Sequence, residues 1–110
     1  HQDPSLAARL RAHTLDFEDL LRLPAEGRKI FLRHVPAQTL LHALKGADRL
    51  LVDSLTEVMS ATAAQRMRDD LDTLGMLPVS TIQSAQEEAA LLLQRLAAEG
   101  VVSLPEEATL

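Results

Sequence analysis

The residues with chemistry to offer are few. Asp69-Asp70 is an adjacent carboxylate pair, with Arg66 and Arg68 close before it, and Lys45 stands just ahead of Gly46. The four histidines, His1, His13, His34 and His42, show neither His-x-x-x-His nor His-x-Glu, so no two imidazoles sit at metal-ligand spacing. No Gly-rich phosphate loop is present. The serines fall mainly at helix starts and on helix surfaces. A general acid–base pair needs two carboxylates converging on one reacting atom. Consecutive helical positions diverge by about 100°, and both aspartates lie on a polar face, so they read as solvated acids. The sequence therefore reads as a non-enzyme, with no cofactor and no metal expected.

The remaining charges admit a plain structural account. Arg66 reaches Asp69 or Asp70 along a helix, and Arg68 likewise reaches Asp72. Such pairs contribute only about 0.2–0.5 kcal/mol each and on their own mark a wet face. Lys45 reads equally as a cation favoured by the dipole at the end of its own helix. Phe17 and Phe31 read as core anchors.

The element that must position the acids is Met59–Gly75. Ser60 caps its start, and Gly75 ends it in a left-handed turn. Ala64, Met67, Leu71 and Leu74 form an apolar stripe, with Thr62, Arg66, Asp69, Asp70 and Thr73 on the opposite face. Around it the chain breaks into further helices. Asp3-Pro4 starts one that runs to about His13. Thr14 or Asp16 caps a short one over Phe17–Arg22, and Leu23-Pro24 breaks it. Pro24–His34 follows, with Gly27 weakening it, then a helix from Pro36 to Lys45-Gly46 and another over Asp48–Val58 that buries Leu51, Val52, Leu55 and Val58. Ser80 through Gln83 has the capping-box form S-x-x-Q. It opens the last helix, Ser80–Glu99, whose buried stripe is Ile82, Ala85, Ala89, Leu92 and Leu96. Leu91-Leu92-Leu93 is wider than one stripe. Beyond Gly100 the chain reads as a fraying tail carrying Glu106-Glu107.

No stretch alternates as a strand does. The fold class is all-α: six to seven short helices in a compact, armadillo-like or superhelical domain. Residues 1–14 read as the end of a preceding helix or a hinge, 15–102 as the helical domain and 103–110 as a flexible tail. At 110 residues, with 46% hydrophobic and 25% charged residues, the chain has the composition of one globular domain. It has no cysteine, which excludes a disulfide framework. No apolar run approaches the roughly 20 residues of a membrane helix, so direct membrane insertion is not expected. The net charge of −5 and the presence of two aromatics, both Phe, argue against binding nucleic acid by phosphate contacts or base stacking.

Taken in order, Phe17-Glu18-Asp19-Leu20, Ala43-Leu44-Lys45-Gly46-Ala47, Met59-Ser60 with Ala63-Ala64, Arg68-Asp69-Asp70-Leu71 and Ala85-Gln86 resemble the C-terminal domain of the FliG family of flagellar motor switch proteins. The resemblance covers about Ser5–Val102. It implies an all-helical rotor domain on the cytoplasmic face of the inner membrane, in the flagellar basal body. It implies that the Met59–Gly75 helix meets the cytoplasmic loop of the stator protein MotA and receives torque. Its partners would be that loop, other FliG subunits and FliM-type switch proteins. The resemblance assigns stator-contact charges to Lys45, Asp69 and Asp70, and a hinge to the stretch holding Leu15 and Phe17.

Two family cations are replaced, by Thr62 and by Pro78, and only Phe17 of the hinge pattern is kept. Arg66, one turn after Thr62 on the same face, supplies a cation in its place. The runner-up reading is a paralogous helical scaffold or adaptor that retains the fold but not torque transfer. A low-salt filter-binding titration against duplex DNA is expected to show no saturable specific binding.

Overall fold

The computed structural model describes residues 15–103; the helix expected to end near His13 and the pair Glu106-Glu107 lie outside them. The described chain forms a 3-10 helix, Phe17–Arg22, and five α-helices: α1 (Ala25–His34), α2 (Ala37–Lys45), α3 (Arg49–Thr56), α4 (Ala61–Leu74) and α5 (Val79–Ala98). No strand occurs among the described residues. The all-α expectation holds.

Three of the five α-helices begin at a proline in the N-cap position. Pro24, Pro36 and Pro78 have extended ψ values of 168°, 139° and 144°. Their carbonyls accept the first helical bonds, from Arg28 at 3.0 Å, Leu40 at 3.0 Å and Ile82 at 3.2 Å. A proline at that place withholds a donor where none is needed. It also corrects the expected start of the last helix. Pro78 caps it with its own carbonyl, so Ser80 lies inside the first turn and the Ser80–Gln83 capping box does not form. At the other end, α3 stops at Thr56, not Val58. The following N–H groups of Val58 and Met59 close tighter i→i−3 bonds on Leu55 and Thr56, at 3.3 and 3.1 Å.

The core gathers on α5, which packs most extensively against α2 and also meets the 3-10 helix and α1. Phe17, Leu20, Phe31, Leu40, Leu44, Leu51, Leu55, Leu93 and Leu96 are among the side chains that close it. Partners on more than one side widen the buried arc of α5 to Ala85, Ala89, Ala90, Leu93 and Leu96. The expected stripe is therefore corrected by rotation: Leu93 is fully buried, Leu92 is half-buried at the edge, and Leu91 is 62% exposed. Ile82 is half-buried too. It lies against Gly46, where an added Cβ would come within 2.5 Å of the Ile82 Cγ2. Gln86 fastens the same joint by donating Nε2 to the Ala43 carbonyl at 3.0 Å.

The end of α5 is also more ordered than a fraying tail. Gly100 adopts φ 76°. Its N–H bonds to Ala97 at 3.1 Å and that of Val101 to Leu96 at 2.9 Å, the paired bonds of a Schellman motif. The turn folds Val102 back into the core at 4% exposure.

Leu93→Ala is expected to lower unfolding free energy by about 2–5 kcal/mol, and Leu91→Ala to change it by less than about 0.5 kcal/mol. Urea melts of the two variants check the register.

Candidate functional site: the polar face of α4

Helix α4 starts as its sequence requires. The Ser60 hydroxyl accepts from the Ala63 N–H at 3.1 Å. At the far end Gly75 takes φ 75° and ψ −162°, so the chain leaves through a positive-φ glycine, although not in the left-handed helical region. Between these ends no residue is fully buried. Ala64, Met67, Leu71 and Leu74 are half-buried, while Thr62, Arg66, Asp69, Asp70 and Thr73 are exposed. The division into two faces is the one the spacing predicts. The body of the protein holds α4 by one side and displays the other.

The charges do not pair as the sequence predicts. The Asp69 carboxylate accepts from Gln65 Nε2 at 2.9 Å, and Arg66 reaches neither Asp69 nor Asp70 as an ion pair among the described residues. Arg68 does not turn along the helix to Asp72. Its Nη2 crosses to α3, 3.2 Å from Asp53 Oδ1 and 2.8 Å from Thr56 Oγ1. The reason lies in its register. Arg68 follows Ala64 by four residues and precedes Leu71 by three, so it shares the inward arc of the apolar stripe. A cation on that arc must find acceptors on a neighbouring helix. Thr56 is buried at 4% exposure and uses its own proton on the carbonyls of Val52 and Asp53. Its oxygen lone pair is thus free to accept from Arg68.

Lys45, the last residue of α2, is half-buried. Its Nζ donates to the Leu71 carbonyl of α4 at 3.1 Å. The structure therefore brings Lys45 to the helix that carries Arg66, Asp69 and Asp70. It does not bring Leu15 and Phe17 there. Phe17 is 5% exposed in the core, and the Leu15 carbonyl accepts from Gln94 Nε2 on α5 at 2.9 Å. The two positions without a cation also separate: Thr62 lies in the first turn of α4, and Pro78 is the cap of α5.

Arg28 was not legible as a structural residue. It donates from Nε to Leu23 O at 3.2 Å and from Nη1 to Ser54 Oγ at 3.0 Å, which ties α1 to α3. Beside the polar face runs a groove of about 680 Å³ walled by apolar side chains, including Leu32, Leu41, Met67 and Leu74, with Arg66 and Asp70 at its rim. Among the described residues no cluster of three or more His, Asp or Glu could hold a metal ion. No helix among them is long and apolar enough to cross a membrane.

Fold and site together define a small all-helical domain that exposes the charged face of an otherwise anchored helix. The FliG C-terminal domain family matches residues 1–104, and the chain belongs to that family. It is 35% identical over 103 residues to the flagellar motor switch protein FliG of Vibrio cholerae, covering 94% of this chain and 30% of the relative. It is 31% identical over 101 residues to that of Thermotoga maritima, covering 92% and 30%. The crystal structure of Helicobacter pylori FliG residues 116–343 superposes with a TM-score of 0.81 at 26% identity, covering 92% of this chain and 44% of that one. Full-length FliG of Aquifex aeolicus gives 0.77 at 31% identity, covering 89% and 30%. The chain thus spans about 30% of the length of the curated relatives it matches.

Removing Arg68 is expected to cost about 1–2 kcal/mol, a charged hydrogen bond discounted for the half-exposed Asp53. Asp72→Ala is expected to stay within about 0.5 kcal/mol. Thermal or urea melts distinguish the two.

Proposed function

We propose that this domain works in the flagellar motor switch, on the cytoplasmic face of the inner membrane, and receives torque from the stator through the outer face of α4. The observation that supports this is the exposure of Arg66, Asp69 and Asp70 on a helix whose other face is fastened to the body. The stator side is the cytoplasmic loop of MotA. Other FliG subunits and FliM-type switch proteins are the partners within the rotor.

A rotor–stator contact must form and break repeatedly. Exposed ion pairs suit such a cycle, because each contributes little and charge complementarity steers encounter more than it holds the complex. Arg66 takes over for the cation missing at Thr62, one turn away on the same face. The family resemblance adds Lys45 to the set; it lies on α2, and its ammonium is bonded to the Leu71 carbonyl of α4. Leu15 and Phe17 form the fixed end of the hinge, since Phe17 is seated in the core and Leu15 is bonded to α5.

The neutral Thr62 and Pro78 favour a second reading, a paralogous helical scaffold or adaptor that keeps the fold without torque transfer. Motility complementation separates the two. With the intact protein in a strain lacking its own copy, Asp69→Lys and Asp70→Lys are expected to abolish swimming and Arg66→Glu to reduce it several-fold. Normal swimming by folded charge-reversal variants would leave the scaffold reading standing.

A further inference from the structure

Two cations tie α4 to its neighbours on the side away from its exposed acids: Lys45 reaches in from α2, and Arg68 reaches out from α4 to α3. The Lys45 ammonium donates to the Leu71 carbonyl. Leu71 is among the last four residues of α4, whose carbonyls lack partners inside the helix, and a helix C-terminus concentrates partial negative charge. Lys45 therefore caps the end of a helix other than its own. Arg68 bonds to Asp53 and to the buried Thr56 on α3. In the chain, Arg68 immediately precedes Asp69-Asp70 and Leu71 immediately follows them. The acidic pair is bracketed by the two points at which α4 is tied down. Because α4 buries no residue fully, apolar packing alone fixes its rotation weakly. Three directional bonds, one to α2 and two to α3, supply what the packing lacks.

We propose that Lys45 and Arg68 are positioning residues for the Asp69–Asp70 pair. They set the rotation and the last turn of α4, and Lys45 acts on a docking partner only through that helix. The proposal rests on reading the α4 face as a docking surface. Within that reading it gives Lys45 a different job from Arg66, Asp69 and Asp70: its ammonium is engaged on the protein's own backbone. Any substitution that removes the donor disturbs the acids' presentation, whatever charge the partner carries.

The test is hydrogen–deuterium exchange together with swimming assays on the intact protein carrying Lys45→Met, Lys45→Arg or Arg68→Met. Lys45→Met and Arg68→Met are each expected to raise amide exchange over residues 68–77 by about tenfold, the scale of one charged hydrogen bond, and to leave unchanged those α5 amides that exchange by local opening, while the slowest α5 amides follow the loss of global stability. Lys45→Arg, which keeps a charged donor, is expected to restore both exchange and swimming. A functional readout separates positioning from general stability: Lys45→Met combined with Asp70→Asn should swim no worse than the poorer single variant. A loss of swimming in Lys45→Met with α4 exchange unchanged would overturn the proposal in favour of direct contact. Faster exchange of the locally opening α5 amides in both Met variants would overturn it in favour of a general loosening of the fold. Normal swimming by Asp69→Lys and Asp70→Lys would defeat the docking reading alone, and the local exchange result would still decide whether the tethers exist.

Discussion

The close seating of α2 on α5 governs the arrangement of everything that faces outward. At Gly46 the end of α2 comes so near Ile82 that no Cβ fits without displacing it, and Gln86 bonds to the Ala43 carbonyl one turn earlier. With the end of α2 fixed in this way, Lys45 has a defined origin from which to reach α4. A side chain at residue 46 would push α2 off α5, and the reach of Lys45 would change with it. Gly46 and the lysine beside it are thus one connection between the core and the charged surface, beside the packing of Met67 and Leu71 and the bonds of Arg68.

The same pattern recurs in how the helices are joined. Buried leucines and phenylalanines supply the bulk of the cohesion, while long polar side chains at the periphery fix orientation: Arg28 between α1 and α3, Arg68 between α4 and α3, Gln86 between α5 and α2. Each ends on a backbone carbonyl, a hydroxyl or a carboxylate of another helix. Such bonds add modestly to stability, since water competes for them in the unfolded chain. They are directional, however, and a helix with no fully buried residue needs direction more than adhesion.

Local features of the fold were legible in the sequence because their causes are local. Ser60 caps α4, glycines end α4 and α5, the prolines mark the joints, and the 3-4-3 spacing of Ala64, Met67, Leu71 and Leu74 separates the wet face from the attached one. What escaped depends on partners distant in the chain. Helical spacing offers Arg68 the Asp72 carboxylate first; its acceptors lie on α3, and only its place in the apolar register hints at them. The burial of Leu93 in place of Leu92 follows from the packing of α5 on several sides, which a single-stripe reading does not contain. Lys45 pairs with a carbonyl, and backbone acceptors leave no mark in a residue pattern.

Both described ends of the chain are held to the C-terminal half of one helix. The Leu15 carbonyl is bonded to Gln94, and Val102 is folded in beyond the turn at Gly100. In mechanical terms α5 is the strut between the helices that hold α4 and the described ends of the chain. A sideways load on α4 passes into α2 and α3, from α2 into α5, and from there to the point where the chain enters. The compliance along that path is governed by a 20-residue helix about 30 Å long and by the few side chains clamped to it. The short connectors between helices contribute little to it.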